Sequence, residues 1–234
     1  MVGTLYLIPS VLAPDTADLV IPEEVRLRVQ QLDYFLVEEL RTARRFVKSV
    51  CPEKVIEEQE FVQLNKDTPT EEIEKMMAAV VSGRNAGVIS EAGCPGIADP
   101  GAEAVKIAHK HGITVMPLVG PSSILLALMG SGFSGQSFAF HGYLPIDRKP
   151  RTTAIKQLEK EMRAKDQTQI FMETPYRNNQ LLADLLEQLA PDTKLCIAAN
   201  LTGPDQLIRT RSIKEWQRQL VNLHKQPVIF LLYR

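Results

Sequence analysis

Short apolar runs alternate with helix-period patterns along almost the whole chain. The runs fall at 4–8, 33–38, 55–64, 86–90, 113–118, 137–143, 168–173, 194–199, 205–211 and 227–233, and each has the length of a strand. Helical stretches with recognisable starts lie between them. Thr68 and Glu71 form a capping box around Pro69, and Ile73, Met76, Met77, Val80 and Val81 follow on one face. Thr174-Pro175 is read as opening another helix, whose Leu181, Leu182, Leu185, Leu186 and Leu189 share one side. Strands alternating with helices predict an α/β protein with largely parallel sheets covered on both faces. The closely spaced strands after position 194 predict an antiparallel element late in the chain. Leu118-Val119-Gly120-Pro121 reads as a hinge between two halves, 1–118 and 119–234, with Pro121 placed to begin a helix directly. A single larger sheet is the competing reading.

A length of 234 residues suits one large domain or two modest ones. Hydrophobic residues make up 44% and charged residues 24%, the balance of a globular rather than a disordered chain. With 27 Lys and Arg against 28 Asp and Glu the formal charge is −1, so any grip on a polyanion requires a local patch. Cys51, Cys94 and Cys196 are too few and too scattered for a disulfide framework or a zinc site, which predicts a reducing compartment and no metal. No basic region precedes Leu5-Tyr6-Leu7-Ile8, against a signal peptide, and no apolar stretch reaches membrane-spanning length. A cytoplasmic protein without membrane contact is the expectation.

The stretch richest in chemistry runs from Ser90 to Gly101: Ser90-Glu91-Ala92-Gly93-Cys94-Pro95-Gly96-Ile97-Ala98-Asp99-Pro100-Gly101. It leaves a predicted strand at its carboxyl end, where open α/β sheets bind ligands. Gly93 and Gly96 permit unusual dihedrals and close backbone approach, Pro95 and Pro100 stiffen the loop, and Asp99 is placed to cap the next helix. Glu91 remains as a carboxylate able to accept from ribose hydroxyls or a cationic amine. A structural turn with a solvated Glu is the other reading of the same residues. Neither Gly-x-Gly-x-x-Gly leading into a helix nor a Gly-Lys-Ser/Thr loop occurs here, which argues against a standard dinucleotide or ATP site.

This loop resembles the Ser-Asp-Ala-Gly-Thr-Pro…Asp-Pro-Gly loop of the tetrapyrrole methylase superfamily. Pro117-Leu118-Val119-Gly120-Pro121-Ser122-Ser123 is similar to that superfamily's Pro-Leu-Pro-Gly-Pro hallmark. Phe140-His141-Gly142-Tyr143-Leu144-Pro145 and Phe171-Met172-Glu173-Thr174-Pro175-Tyr176-Arg177 resemble segments of one branch, the ribosomal small-subunit RNA ribose methyltransferases. The order and spacing hold from about residue 86 to 205. The resemblance implies two α/β domains with a cofactor cleft between them, a homodimer, and S-adenosylmethionine as cofactor. It places Glu91, Gly93 and Cys94 against the cofactor from the first domain, Ser123 and Ile124 beneath it, and Met172 and Leu201 from the second. Plain core packing is the alternative for Ile124, Met172 and Leu201.

The first third departs from the branch. Ser10-Val11-Leu12-Ala13-Pro14 stands where relatives carry Pro-x-Gly-Asn-Leu, Glu38-Glu39-Leu40-Arg41 replaces Glu-Asp-Thr-Arg, and Asn200-Leu201-Thr202-Gly203 replaces Glu-Leu-Thr-Lys. Glu39 is the candidate to help a ribose hydroxyl lose its proton, with Arg41 positioning the acceptor; a strand-end salt bridge between them is the alternative. Arg41, Arg44, Arg45 and Lys48 recur at helical spacing, ordinarily a solvated face. Arg148, Lys149 and Arg151 fall in the first turn of a helix capped by Asp147. The helix dipole disfavours cations there, and an RNA phosphate would relieve the mismatch. Together with Arg177 they are the candidate substrate-binding residues, with small-subunit ribosomal RNA as the expected partner. A tetrapyrrole precursor as acceptor, or a cofactor-binding protein without turnover, are the alternatives.

Overall fold

The computed structural model describes residues 2–234, and the chain divides after Ser122 into two compact units. In the first, the elements run β1 (Thr4–Ile8), α1 (Ala17–Val20), α2 (Glu23–Gln31), β2 (Tyr34–Val37), α3 (Leu40–Val50), β3 (Glu60–Gln63), α4 (Thr70–Val81), β4 (Ala86–Ile89), α5 (Gly101–Lys110) and β5 (Thr114–Pro117). The five strands form one sheet in the order β3-β2-β4-β1-β5, every pair parallel. Alternate residues of each inner strand enter opposite cores. Tyr6, Ile8, Phe35, Val37 and Ile89 pack under α1, α2 and α3, while Leu5, Tyr34, Leu36, Ala86 and Val88 pack under α4 and α5. Burial on both faces is why these strands read as unbroken apolar runs.

The second unit contains α6 (Ser123–Ser131), β6 (Phe138–Tyr143), α7 (Arg148–Lys165), β7 (Thr168–Glu173), α8 (Asn178–Gln188), β8 (Lys194–Ala199), β9 (Leu207–Ser212), α9 (Ile213–Arg218) and β10 (Val228–Tyr233). Its sheet has the order β6-β7-β10-β8-β9. Only β6 and β7 pair in parallel; the other three pairings are antiparallel, so the expected late antiparallel element spans four strands. Phe171 and Phe230 stack at 5.8 Å in its core, and the buried Trp216 indole donates to the Leu195 carbonyl at 2.9 Å.

Several expected boundaries shift for local reasons. The run at 55–64 breaks into a 3-10 turn at Ile56–Glu58 and a short strand, because Glu57, Glu58 and Gln59 supply no apolar alternation. Thr68 caps nothing: its hydroxyl accepts the Asn65 N–H at 3.0 Å and donates to the Asn65 side chain, and α4 starts one residue past Pro69. Val81, expected on the buried face of α4, is exposed. Pro121 precedes α6 by two residues rather than opening it. Thr174-Pro175 forms a turn closed by Arg177 N–H on the Thr174 carbonyl at 3.0 Å, with α8 beginning only at Asn178. Among the described residues no helix is long and apolar enough to cross a membrane, and no group of three His, Cys, Asp or Glu is arranged to hold a metal.

Candidate functional site

The topology of the first unit singles out the loop after β4. The helices that follow β1 and β2 pack on one face of the sheet, and those that follow β3 and β4 on the other. The β4 loop therefore departs to the face opposite both of its neighbours, β2 and β1. Such a switch opens a crevice at the carboxyl ends of the strands, where α/β sheets bind ligands.

Residues 90–101 are held in shape by their own polar groups and by neighbouring loops. Gly93 exchanges two backbone hydrogen bonds with Ser10, at 2.8 and 3.2 Å, which joins the loops after β1 and β4. Gly93 adopts φ +73, and a Cβ there would meet the Leu12 side chain at 3.2 Å. Asp99 Oδ1 accepts from the N–H groups of both Gly96 and Gly101, at 2.8 Å each, so one carboxylate ties the loop to the start of α5. Gly96 has φ +80 with no atom nearer than 3.8 Å to a built Cβ, leaving its outer side open. The Cys94 thiol lies 3.4 Å from the Pro121 carbonyl, and burial pushes its proton affinity up; it is a packing and hydrogen-bonding group rather than a thiolate. Glu91 is exposed.

Glu38 is the residue that the sequence did not single out. It closes β2, whose Val37 pairs with Ile89 at the end of β4, and its carboxylate accepts the Glu91 N–H at 3.0 Å. Burial raises its pKa, the Glu91 N–H offsets part of that, and the Asp99 carboxylate adds to the rise. The signal was available in the register, since residues following two adjacent parallel strands must meet at one sheet edge.

Glu39, the expected proton acceptor, is the N-cap of α3. Its carboxylate takes the Thr42 N–H at 2.7 Å, and that bond holds its pKa below the ordinary carboxylate value. A carboxylate stabilised in its charged form is poorly matched to removing a proton from a hydroxyl. The alternative of a salt bridge with Arg41 is replaced by the cap; Arg41 itself is exposed on the first turn.

In the second unit, Ser123 and Ile124 open α6 and are half-buried. Met172 lies near the end of β7, half-buried opposite Ile229, and Leu201 is buried in the turn after β8. Val228 pairs with both Glu173 and Ala199, so Met172 and Leu201 stand at the same end of the sheet with β10 between their strands. Asn200 and Thr202 flank Leu201 at φ +51 and +69, a tight turn.

At the basic start of α7, two of the three candidate cations are already ion-paired within the protein. Arg151 is 1% exposed. Its Nε lies 2.7 Å from Asp184 Oδ2 and its Nη2 lies 2.6 Å from the same atom, while Nη1 donates to the Ile146 carbonyl. Arg148 bonds Glu187 at 2.9 Å. Asp147 makes no side-chain cap. The acids on α8 thus supply the negative charge that the helix dipole calls for, and no phosphate is needed to relieve it. Lys149 alone of the three stays exposed without an ion pair among the described residues. Arg177 is ion-paired at 2.6 Å with Glu173, whose side chain is 1% exposed, so this cation too is engaged locally.

A doubly covered parallel sheet with a braced glycine-proline loop at its switch point is the layout of a small-molecule-binding α/β protein. Residues 16–217 match the Tetrapyrrole (Corrin/Porphyrin) Methylases, and the chain belongs to that family. It is similar to the ribosomal RNA small subunit methyltransferase I of Mesorhizobium japonicum, 36% identical over 140 residues that cover 60% of this chain and 46% of the relative. The protein of the same name from Vibrio cholerae is 32% identical over 157 residues, covering 66% and 53%. The chain thus spans about half the length of the curated relatives it matches. Among solved structures it resembles the Thermus thermophilus uroporphyrin-III C-methyl transferase complexed with S-adenyl homocysteine. The TM-score is 0.60 at 18% identity, covering 99% of this chain and 98% of that one, which establishes the shared fold.

Proposed function

We propose that the protein binds S-adenosylmethionine at the β4 loop and transfers its methyl group to a ribose hydroxyl of small-subunit ribosomal RNA. The observation that carries the reading is the braced 90–101 loop at the switch point of a family member whose matched relatives are named for ribosomal RNA methylation. The residues present suit a nucleoside ligand. Among the described residues the Glu91 carboxylate has no hydrogen-bond or ion-pair partner and the N–H groups of Ala92 and Cys94 meet no acceptor, and the outer side of Gly96 is open. The solved uroporphyrin-III enzyme, named as a complex with the demethylated cofactor, supports the same choice of ligand.

In this reading Glu91 accepts hydrogen bonds from the ligand's hydroxyl or amino groups, and Gly93 and Cys94 present backbone to it. Ser123, Ile124, Met172 and Leu201 are carried into this proposal from the family resemblance alone. The cofactor supplies an activated methyl group for in-line displacement, in which alignment and exclusion of water can supply on the order of 7–11 kcal/mol. Glu38 holds the N–H of Glu91, the second residue of the loop, and Arg41 steers the acceptor. The active form in this proposal is a cytoplasmic homodimer, the commonest closed symmetry.

Calorimetric titration with S-adenosylmethionine and with its demethylated product tests the cofactor site. Gly93→Val should lose most of the affinity, because a branched side chain is strained at φ +73 and meets Leu12. Equal affinities in wild type and variant remove the loop from the site. A radiolabelled methyl transfer assay on small ribosomal subunits tests the acceptor; cofactor binding with no labelled RNA overturns the catalytic part.

A further inference from the structure

We infer that the outer face of α3 is the track along which the RNA's phosphate backbone approaches the β4 loop, an inference that rests on the reading above. Arg41, Arg44, Arg45 and Lys48 are all exposed, while Ala43, Phe46, Val47 and Val50 are buried. At about 100° per residue the four cations lie diametrically opposite the buried face. The eleven residues of α3 contain no acid. None of the four cations forms an ion pair among the described residues. Glu57 and Glu58, in the 3-10 turn packed against α3, form no ion pair with them, Glu53 feels Lys48 only through space, and the Lys48 ammonium donates to the Lys54 carbonyl at 3.1 Å. In a chain of net charge −1, four unpaired cations along roughly 10 Å of one helix form a local field fitted to two or three successive phosphates.

The position of α3 gives that field a direction. The helix starts immediately after Glu38 and Glu39, and Glu38 is hydrogen-bonded to the first residue beyond Ser90 in the β4 loop. Arg41 therefore stands at the end of the stripe nearest the candidate cofactor loop, and Lys48 at the far end. Arg44 lies over the Phe61 ring at 5.6 Å, and Phe61 stacks on Phe35. That contact fixes one guanidinium of the stripe against an aromatic face. Commitment to RNA over an anionic lipid surface follows from this geometry, because a single narrow stripe leading to a braced loop suits a strand, and α3 exposes no large apolar residue to insert into a bilayer.

The test uses the full chain, a short single-stranded RNA of mixed sequence as probe, and fluorescence anisotropy between roughly 50 and 200 mM salt. The variant R44Q/R45Q/K48Q should flatten the slope of log affinity against log salt by about 2, at about 0.7 per phosphate contact on a single strand. Its calorimetric affinity for S-adenosylmethionine and its thermal melting should match wild type. The variant R44K/R45K, which keeps the charge, should retain most of the RNA affinity. An unchanged slope in the glutamine variant overturns the proposal even where the wild type binds cofactor and methylates RNA. So does absence of wild-type RNA binding at low salt, or α3-dependent binding to phosphatidylserine vesicles in its place. Failure of the wild type to bind S-adenosylmethionine strikes the methyl-transfer reading instead, and is read in a separate titration.

Discussion

Helices α3 and α7 both open on clustered cations, and the two clusters meet opposite fates. On α3 the N-terminal dipole is met by the N-cap, the Glu39 carboxylate on the Thr42 N–H, and the cations stand exposed with no ion pair among the described residues, Lys48 donating only to the Lys54 carbonyl. On α7 the would-be cap Asp147 forms no such bond. Asp184 and Glu187 of α8 supply the negative charge from outside and take up Arg151 and Arg148 in doing so. Charge written in a sequence is therefore not charge available to a ligand. What decides is whether an acid on a neighbouring element reaches the cation: Asp184 and Glu187 do so on α7, whereas Glu57 and Glu58 beside α3 do not.

The largest test of that contrast is Asp184→Ala. It leaves the Arg151 guanidinium, 2% exposed, without its partner, and should cost about 3–5 kcal/mol in denaturant unfolding. Replacing both members, as Arg151→Met with Asp184→Leu, should recover most of that loss. A single variant that loses less than about 1 kcal/mol would mean that the pair is not buried as described.

Two adjacent glutamates provide a smaller, signed effect. Glu39 has a pKa lowered by the Thr42 N–H, so its contribution is present above the ordinary carboxylate value and is lost as pH falls through the lowered one. Glu39→Ala should accordingly lower the melting temperature at pH 7 and make little difference in strong acid. Glu38 has a pKa raised by burial and by Asp99, so its ionisation weakens the fold as pH rises through the raised value. Glu38→Gln keeps an acceptor for the Glu91 N–H, and its melting temperature relative to wild type should improve from pH 4 to pH 7. Melting curves that move in the same direction for both variants contradict the assignment.

The smallest effect belongs to α3. Removing three exposed, unpaired cations in R44Q/R45Q/K48Q should alter stability by no more than about 0.5 kcal/mol per site. A large loss on thermal unfolding would show that the stripe is structural and would erase its difference from α7.

The sequence was most legible where a residue's role depends on its near neighbours. The runs at 168–173 and 194–199 coincide with β7 and β8, because strands buried on both faces need nothing but apolar residues of the right length. The 90–101 loop was visible through its glycines and prolines, which act on the backbone where they stand. Glu38 was not, since it meets Glu91 only through the pairing of β2 with β4, 53 positions apart. Arg151 was misread for the same reason: its partner lies 33 positions downstream on another helix. Thr68 and Thr174 show a third case, in which a side chain or a turn made a local hydrogen bond that competed with the expected helix start.

The place of β10 in the second sheet bears on how the chain folds as it is made. The first unit is complete once β5, an edge strand, has been added, so it can condense while later residues are still being synthesised. In the second unit the last strand is an inner one: β7 and β8 each pair with Val228–Tyr233. Until that hexapeptide emerges, both strands present an unpaired, apolar edge of the kind that recruits other chains. The second unit is thus exposed to mispairing for the whole interval between translation of β7 and of β10, the stage at which a holding chaperone would act.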